Sequence, residues 1–226
     1  MAESVTPPRY VREVMIANEK TAALDHPLIG RGIYDVVDVA RLVGRDPETI
    51  SRWTGGREAL HQVRAKPLFT FLDMISLWVI SELITRGVSK YELRAGRDYL
   101  ATKLETQFPF AHKRLATVGG AFFGELAAEW IDVGKSGQRA FQTVIEDYVR
   151  PIEFGADDLA AIWRPRGGVW INPSVQAGSP CIDGTRVPTA LLAALVAEDE
   201  DPQNLAADFD LDVGQVEAAL KFERAA

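Results

Sequence analysis

The sequence has almost none of the residues that build disulfide frameworks or metal centres. Among 226 residues there is one cysteine, Cys181, so no internal disulfide can form. Zinc sites need cysteine and histidine ligands at short, regular spacings. The three histidines lie far apart, at His26, His61 and His112. We therefore expect neither a structural metal nor a cofactor held by such ligands.

Long apolar runs are also absent. The most apolar stretch, residues 71–84, already contains Asp73 and Glu82, whereas a membrane-spanning helix needs about 20 apolar residues. The first thirty residues carry charges without the apolar core of a secretory signal. These absences predict a core helix at residues 71–84, no membrane partner and a cytoplasmic protein.

What remains is an ordinary globular composition with an uneven charge. The chain is 47% apolar and 25% charged, which excludes disordered and fibrous classes, and its length predicts one or two domains. The net charge is −7. From residue 189 onward, nine acidic side chains face only two basic ones, whereas residues 41–66 carry six basic and three acidic side chains. Residues 41–66 are therefore mildly basic, and the C-terminal segment from residue 189 is strongly acidic.

Two short helices are predicted near the basic segment. Asp35 is a suitable N-cap for the first helix and Gly44 ends it, while Asp46 and Pro47 form a strong start signal for the second. Two such helices around a tight turn, with a common apolar face, form a helix-turn-helix. The shared face consists of Val39, Val43, Ile50 and Trp53.

The predicted motif carries the residue types that bind duplex DNA. Lys and Arg contact phosphates, and short polar side chains together with Arg read base edges. The candidate DNA-binding residues are Arg45, Thr49, Ser51, Arg52, Arg57, Arg64 and Lys66. The alternative is a solvated basic face that forms only local ion pairs.

The middle of the chain is predicted to mix helices and short strands. The residues up to Pro67 form a loop or a β-wing, and Gly87 ends the apolar helix that begins at Phe71. A capping box, Ser89 with Glu92, begins another helix. The following elements are predicted as strands at residues 113–133, a helix at 138–149, short strands at 152–154 and 161–163, and a linker at 164–168.

The C-terminal segment from residue 169, here called the tail, is predicted to be a compact module. A strand at residues 169–171 and a loop rich in glycine and proline at 173–188 precede three short helices. The spacing of the first helix-turn-helix recurs here, in a surrounding of carboxylates that repel DNA and favour a protein partner. The recurring positions are Leu205, Ala206, Phe209, Asp212 and Val216, which match Val39, Ala40, Val43, Asp46 and Ile50.

The expected fold class is α+β and mostly helical. A winged helix-turn-helix part with a small antiparallel sheet is followed by a tri-helical, helix-turn-helix-like module. The predicted boundaries are an N-terminal arm at 1–27, a helix-turn-helix and α/β dimerisation domain at 28–163, and the C-terminal domain at 169–226.

Catalytic motifs are not found, so no enzyme and no catalytic residue are predicted. Cys181 has nothing at a suitable spacing to lower its pKa, and a small buried thiol is the commoner role. Arg186 either satisfies carbonyls in a turn or contacts a partner. The candidate partner-binding residues are Arg186, Lys221 and Arg224.

Several segments resemble known families. Residues 33–44 (IYDVVDVARLVG), 49–53 (TISRW) and 83–94 (LITRGVSKYELR) resemble the helix-turn-helix domain of MerR-like proteins. Asn172-Pro173, residues 178–188 (GSPCIDGTRVP) and residues 216–220 (VEAAL) resemble a small tri-helical family of unknown function that is associated with VapB-type antitoxins. The acidic run at residues 198–201 and Cys181 depart from that pattern.

The resemblance implies an antitoxin of a type II toxin-antitoxin pair. Such a protein would neutralise a PIN-domain ribonuclease toxin and, as a homodimer on the nucleoid, bind its own operator DNA as a repressor. Two alternatives stay open: a MerR-like transcription regulator without a toxin partner, and a protein-protein adaptor whose helix-turn-helix is only structural.

Overall fold

The computed structural model describes residues 31–57, 59–63, 67–119 and 150–225. Within them lie seven α-helices and four short strands, so the α+β class is confirmed. The described chain divides into two compact units between Trp163 and Arg164. Among the described residues, no helix is both long and apolar enough to cross a membrane.

Four α-helices lie in the described part of the first unit. They are α1 (Val36–Val43), α2 (Pro47–Thr54), α3 (Phe71–Thr85) and α4 (Lys90–Leu104). Their start signals are local, as predicted: the side chains of Asp35, Asp46 and Ser89 accept hydrogen bonds from the first turns of α1, α2 and α4. Such bonds satisfy amides that have no partner inside the helix.

Helix α3 is the centre of this unit. It is buried on nearly all sides, with Phe71, Ile75, Leu77 and Ile80 fully inaccessible, as expected for a helix that is apolar all round. A capping box of Thr70 and Asp73 begins it. The buried imidazole of His61 lies 2.6 Å from the Asp73 carboxylate, which fixes the loop before α3 to the start of that helix.

The segment after α4 differs in part from the prediction. Residues 115–119 form a π-helical turn, so the strand predicted from residue 113 is wrong over this stretch. Three residues separate this turn from a short 3-10 helix at Pro109–Ala111. Across them, the amide of Leu115 donates to the carbonyl of His112. The rest of the predicted strand region and the helix predicted at 138–149 lie outside the described residues.

Four strands follow, hydrogen-bonded in the order β1-β2-β3-β4. They are β1 (Ile152–Phe154), β2 (Ala160–Arg166), β3 (Val169–Ile171) and β4 (Cys181–Ile182). Strands were predicted at the places of β1, β2 and β3, whereas β4 lies in the segment predicted as a loop, and the small antiparallel sheet was predicted earlier in the chain, at residues 113–133. The linker predicted at 164–168 is wrong in its first part, because Arg164–Arg166 continue β2 and only Gly167 and Gly168 form the turn. A β-wing before α3 stays a prediction.

The second unit closes with three helices, as predicted. They are α5 (Thr189–Ala197), α6 (Pro202–Asp208) and α7 (Val213–Ala225). Their core contains Ile182, Val187, Leu192, Leu205 and Ala219. The turn between β2 and β3 also packs against α7, since a Cβ atom at Gly168 would lie 3.3 Å from the Cβ atom of Ala218.

Candidate nucleic-acid interface

The turn between α1 and α2 is built from backbone contacts that the sequence favours. Gly44 adopts a left-handed conformation with φ of 71°, which glycine tolerates without steric cost. The amide of Arg45 then donates to the carbonyl of Ala40 at 2.9 Å. Asp46 begins α2 by accepting from the amide of Thr49 at 2.7 Å. The two helices are therefore joined by a turn of fixed geometry.

The inner faces of α1 and α2 are buried together. Val39 and Ile50 have no accessible surface, and Val43 and Trp53 are 4% and 5% exposed. The predicted apolar face is confirmed by this burial. Helix α1 packs against both α2 and α3, so the pair rests on the central helix of its unit.

The outer face of α2 is exposed. Glu48, Ser51 and Arg52 point to solvent on this helix, whereas Thr49 is half-buried. The Ser51 hydroxyl donates to the carbonyl of Pro47 at 2.9 Å. Of the candidate DNA-binding residues, Ser51 and Arg52 thus lie on the face that a duplex could reach.

A short polar network joins the start of α2 to Arg52. The Thr49 hydroxyl donates to the Asp46 carboxylate at 2.8 Å and accepts from Nη2 of Arg52, also at 2.8 Å. The hydrogen bonds from Thr49, followed by the charge of Arg52, hold the pKa of Asp46 below its ordinary value. Thr49, predicted to contact DNA, therefore also links the N-cap to the guanidinium.

The chain that leaves α2 is fastened at several points. The carbonyl of Trp53 accepts from the amides of Leu60 and His61, and Nη1 of Arg97 donates to the carbonyl of Ala59 at 2.6 Å. Arg57, in the turn before these contacts, is exposed. It remains a candidate phosphate ligand close to α2.

Arg64 and Lys66, the other two basic residues predicted to contact phosphates, lie outside the described residues.

Arg45, which was also predicted to bind DNA, is half-buried and contacts α3. Its Nε donates to the Ser81 hydroxyl at 2.8 Å, and its Nη2 donates to the Ser81 carbonyl at 3.1 Å and to the Thr85 hydroxyl at 2.5 Å. The guanidinium carbon also lies 5.9 Å from the ring centroid of Trp53. Ser81 and Thr85 are 36 and 40 residues away along the chain, so no local signal in the sequence could have indicated them.

The second unit contains another helix-turn-helix, between α6 and α7. The amide of Leu211 donates to the carbonyl of Ala206 at 2.8 Å, which matches the bond between Arg45 and Ala40. Val216 and Ala219 are fully buried, as Ile50 is in α2. The surface here is more acidic, because all eight acidic side chains from residue 198 to residue 217 are exposed, whereas the first helix pair exposes four: Asp35, Asp38, Asp46 and Glu48.

The candidate partner-binding residues fall into two places within the second unit. Lys221 and Arg224 line one open groove on α7, together with Glu217, Leu220 and Pro202. Arg186 lies in the loop between β4 and α5, half-buried, and its Nε atom is enclosed without a hydrogen bond among the described residues. The described contacts do not connect Arg186 to the groove.

The loop that contains Arg186 is held by threonines. The Thr185 hydroxyl donates to the carbonyl of Ile182 at 2.9 Å, and the carbonyl of Thr185 accepts from the Trp170 indole. The Thr189 hydroxyl is shared between the Pro180 carbonyl and the Glu223 carboxylate. Neither threonine caps α5, whose N-cap position is Pro188.

Cys181 is a buried thiol in this unit. It is 1% exposed, and burial raises its pKa to about 12. At neutral pH the side chain is therefore a neutral, weakly nucleophilic group. This agrees with the packing role that the sequence suggested.

The comparisons with known proteins concern the tail and the whole chain separately. Residues 169–222 match DUF433, a family described as proteins of unknown function. The solved structure of Rv2018 from Mycobacterium tuberculosis superposes with a TM-score of 0.70 at 21% identity, over 87% of this chain and 98% of that one. At that identity the likeness shows a shared fold alone.

Two curated proteins of Mycobacterium tuberculosis strain H37Rv are similar along most of their length. "Uncharacterized protein Rv2308" is 24% identical over 87% of this chain and 92% of its own. "Putative antitoxin VapB45" is 23% identical over 83% of this chain and 92% of its own. The chain therefore shares a fold with Rv2018, a C-terminal sequence pattern with DUF433, and distant similarity with a protein named as an antitoxin.

Proposed function

We propose that this protein is a DNA-binding antitoxin whose recognition helix is α2. The observation that carries the DNA-binding part is the helix-turn-helix of α1 and α2. Its inner face is buried, whereas Ser51 and Arg52 stand on the exposed face of α2. An arrangement of this kind lets one helix enter the major groove of DNA while the other crosses the backbone.

The dimensions and charges of α2 suit that role. An α-helix with its side chains is about 10–12 Å across, and the major groove of B-form DNA is about 12 Å wide. Arg52 at the surface of α2 is suited to a guanine edge, and the exposed Arg57 to a phosphate. The helix-turn-helix of α6 and α7 is not proposed to bind DNA, because eight exposed carboxylates at residues 198–217, twice the number around α1 and α2, would repel phosphates.

The toxin partner is proposed from the distant similarity to the protein named "Putative antitoxin VapB45". We propose that the chain neutralises a PIN-domain ribonuclease toxin, acts in the cytoplasm at the nucleoid, and binds operator DNA as a homodimer. In this proposal it has no enzymatic activity and needs no cofactor. The second unit, with its acidic surface and the groove containing Lys221 and Arg224, would contact the toxin.

Co-purification with the product of the neighbouring gene, followed by titration of the shared promoter over a salt series, tests both parts. We expect capture of a ribonuclease, loss of its activity in the complex, and promoter binding that weakens steeply with salt. In the promoter titration, Arg166→Ala is the matched control for arginine substitutions in the helix-turn-helix, since it removes one exposed positive charge outside α1 and α2.

Each contrary result identifies an alternative. Promoter binding without a protein partner would support a transcription regulator of the MerR-like kind. Capture of a partner without binding to any duplex would support an adaptor.

A further inference from the structure

We propose that Arg45 is a positioning residue. Its side chain fixes the orientation of the recognition helix α2 relative to α3 and makes no contact with DNA. The inference rests on the DNA-binding part of the proposed function. It separates Arg45 from Arg52 and Arg57, the two exposed arginines that follow it in the same motif.

The contacts of Arg45 point away from the proposed DNA face. Three hydrogen bonds run from its guanidinium to Ser81 and Thr85 in the last part of α3. The Thr85 hydroxyl also donates to the Ser81 carbonyl at 2.9 Å, so the acceptors form a small network of their own. The Trp53 ring of α2 lies beside the same guanidinium. Arg45 thus joins the turn, α2 and α3 through one planar group.

The end of α3 is a favourable place for this charge. The C-terminal end of a helix carries partial negative charge, which favours a cation beside it. Helix α3 has no basic residue within its last turn, and Arg86 follows as its C-cap. The guanidinium of Arg45 adds a positive charge from another element, which couples the end of α3 to the beginning of α2.

The position in the chain explains why this contact would affect recognition. Arg45 directly precedes Asp46, the N-cap of α2. The other end of α2 is fixed by the bonds from Leu60 and His61 to the Trp53 carbonyl. Base readout requires side chains placed within about 0.5 Å and 10–20°. Loss of the Arg45 side chain would leave the placement of α2 to the buried face shared with α1 and to that second attachment, without the bonds that reach α3.

The test compares Arg45→Ala with Arg57→Ala and with the control Arg166→Ala. Binding to the promoter and to an unrelated duplex of equal length is measured over a salt series, below the melting temperature of every variant. For Arg45→Ala we expect the ratio of promoter affinity to unrelated-duplex affinity to fall about tenfold, with the salt slope unchanged. For Arg57→Ala we expect the slope to flatten by about one with the ratio kept.

Two milder variants keep the test valid if Arg45→Ala does not fold. Thr85→Val removes one acceptor at nearly constant volume and should lower the ratio in the same direction by a smaller factor. Arg45→Lys should not restore the ratio, because one ammonium group cannot make the separate bonds of a planar guanidinium.

The outcomes that would overturn the inference are distinct. A salt slope flattened by Arg45→Ala would show that Arg45 contacts a phosphate. A lower melting temperature with an unchanged affinity ratio would show a merely structural role. If the unmodified protein itself does not distinguish the promoter from the unrelated duplex, the proposed DNA-binding function fails, and the positioning role fails with it.

Discussion

Gly44 and Asp210 occupy the same place in two helix-turn-helix segments and share a left-handed backbone, with φ of 71° and 54°. Gly44 is the C-cap of α1, and Asp210 follows Phe209, the C-cap of α6. Each is followed by a residue whose amide donates to the carbonyl five positions back, Ala40 or Ala206. Glycine adopts this conformation freely, whereas a residue with a Cβ atom is strained. The two turns therefore have similar geometry, but the left-handed conformation costs more free energy at Asp210 than at Gly44.

Opposite stability changes follow from this pair. Gly44→Ala should lower the free energy of unfolding by about 1–2 kcal/mol because alanine disfavours positive φ. Asp210→Gly should raise the melting temperature, since it relieves the same strain in the second turn. Thermal denaturation of both variants checks this. Equal shifts in the same direction would contradict the conformational argument.

The arginines near α2 should affect DNA binding in different ways. Arg52→Ala should weaken promoter binding by about 1–3 kcal/mol and relax preference for one base pair, since the side chain stands on the recognition face. Arg57→Ala should weaken binding to all sequences about equally. Competition with single-base promoter variants distinguishes the two effects. An affinity unchanged by both substitutions would contradict the placement of α2 in the groove.

Asp46 should make the stability of the first unit depend on pH. Its pKa is lowered in the folded state, mainly by the hydrogen bonds from Thr49. The charged form therefore stabilises the fold above about pH 4, the ordinary pKa of an aspartate, and this contribution is lost as the pH falls through the folded-state value.

Urea denaturation of the wild type and Asp46→Asn at several pH values measures this effect. The wild type should be the more stable at neutral pH, and the difference should shrink in acid because asparagine does not titrate. A difference that stays constant with pH would show that the charge of Asp46 contributes nothing.

Cys181 should be inert in the folded protein. With its pKa raised to about 12 by burial, almost no thiolate is present at pH 8. Alkylation by iodoacetamide should be far slower for the native chain than for the chain in urea, as mass spectrometry can follow. Rapid labelling of the native protein would reopen the question of a nucleophilic role for this residue.

The sequence predicted best what neighbouring residues determine. The caps at Asp35, Asp46 and Ser89 and the buried face of Val39 and Ile50 follow from local chemistry and helical periodicity. These signals act within a few residues, so they can be recognised without knowledge of the fold.

Tertiary contacts account for the differences. Arg45 was predicted to bind DNA because of its charge. Its acceptors, Ser81 and Thr85, belong to a helix that begins at Phe71, much later in the chain. Residues 164–166 contain proline and arginine, which are typical of a linker, yet they continue β2 because a neighbouring strand pairs with it. Neither outcome is encoded in the adjacent sequence.

The exposed face of α2 has a consequence for the evolution of related genes. The exposed side chains of Glu48, Ser51 and Arg52 take no part in the buried face that joins α2 to its neighbours. Substitutions there can accumulate without loss of the fold. If α2 binds DNA as proposed, duplicated copies of such a gene can therefore diverge toward separate binding sequences in few steps.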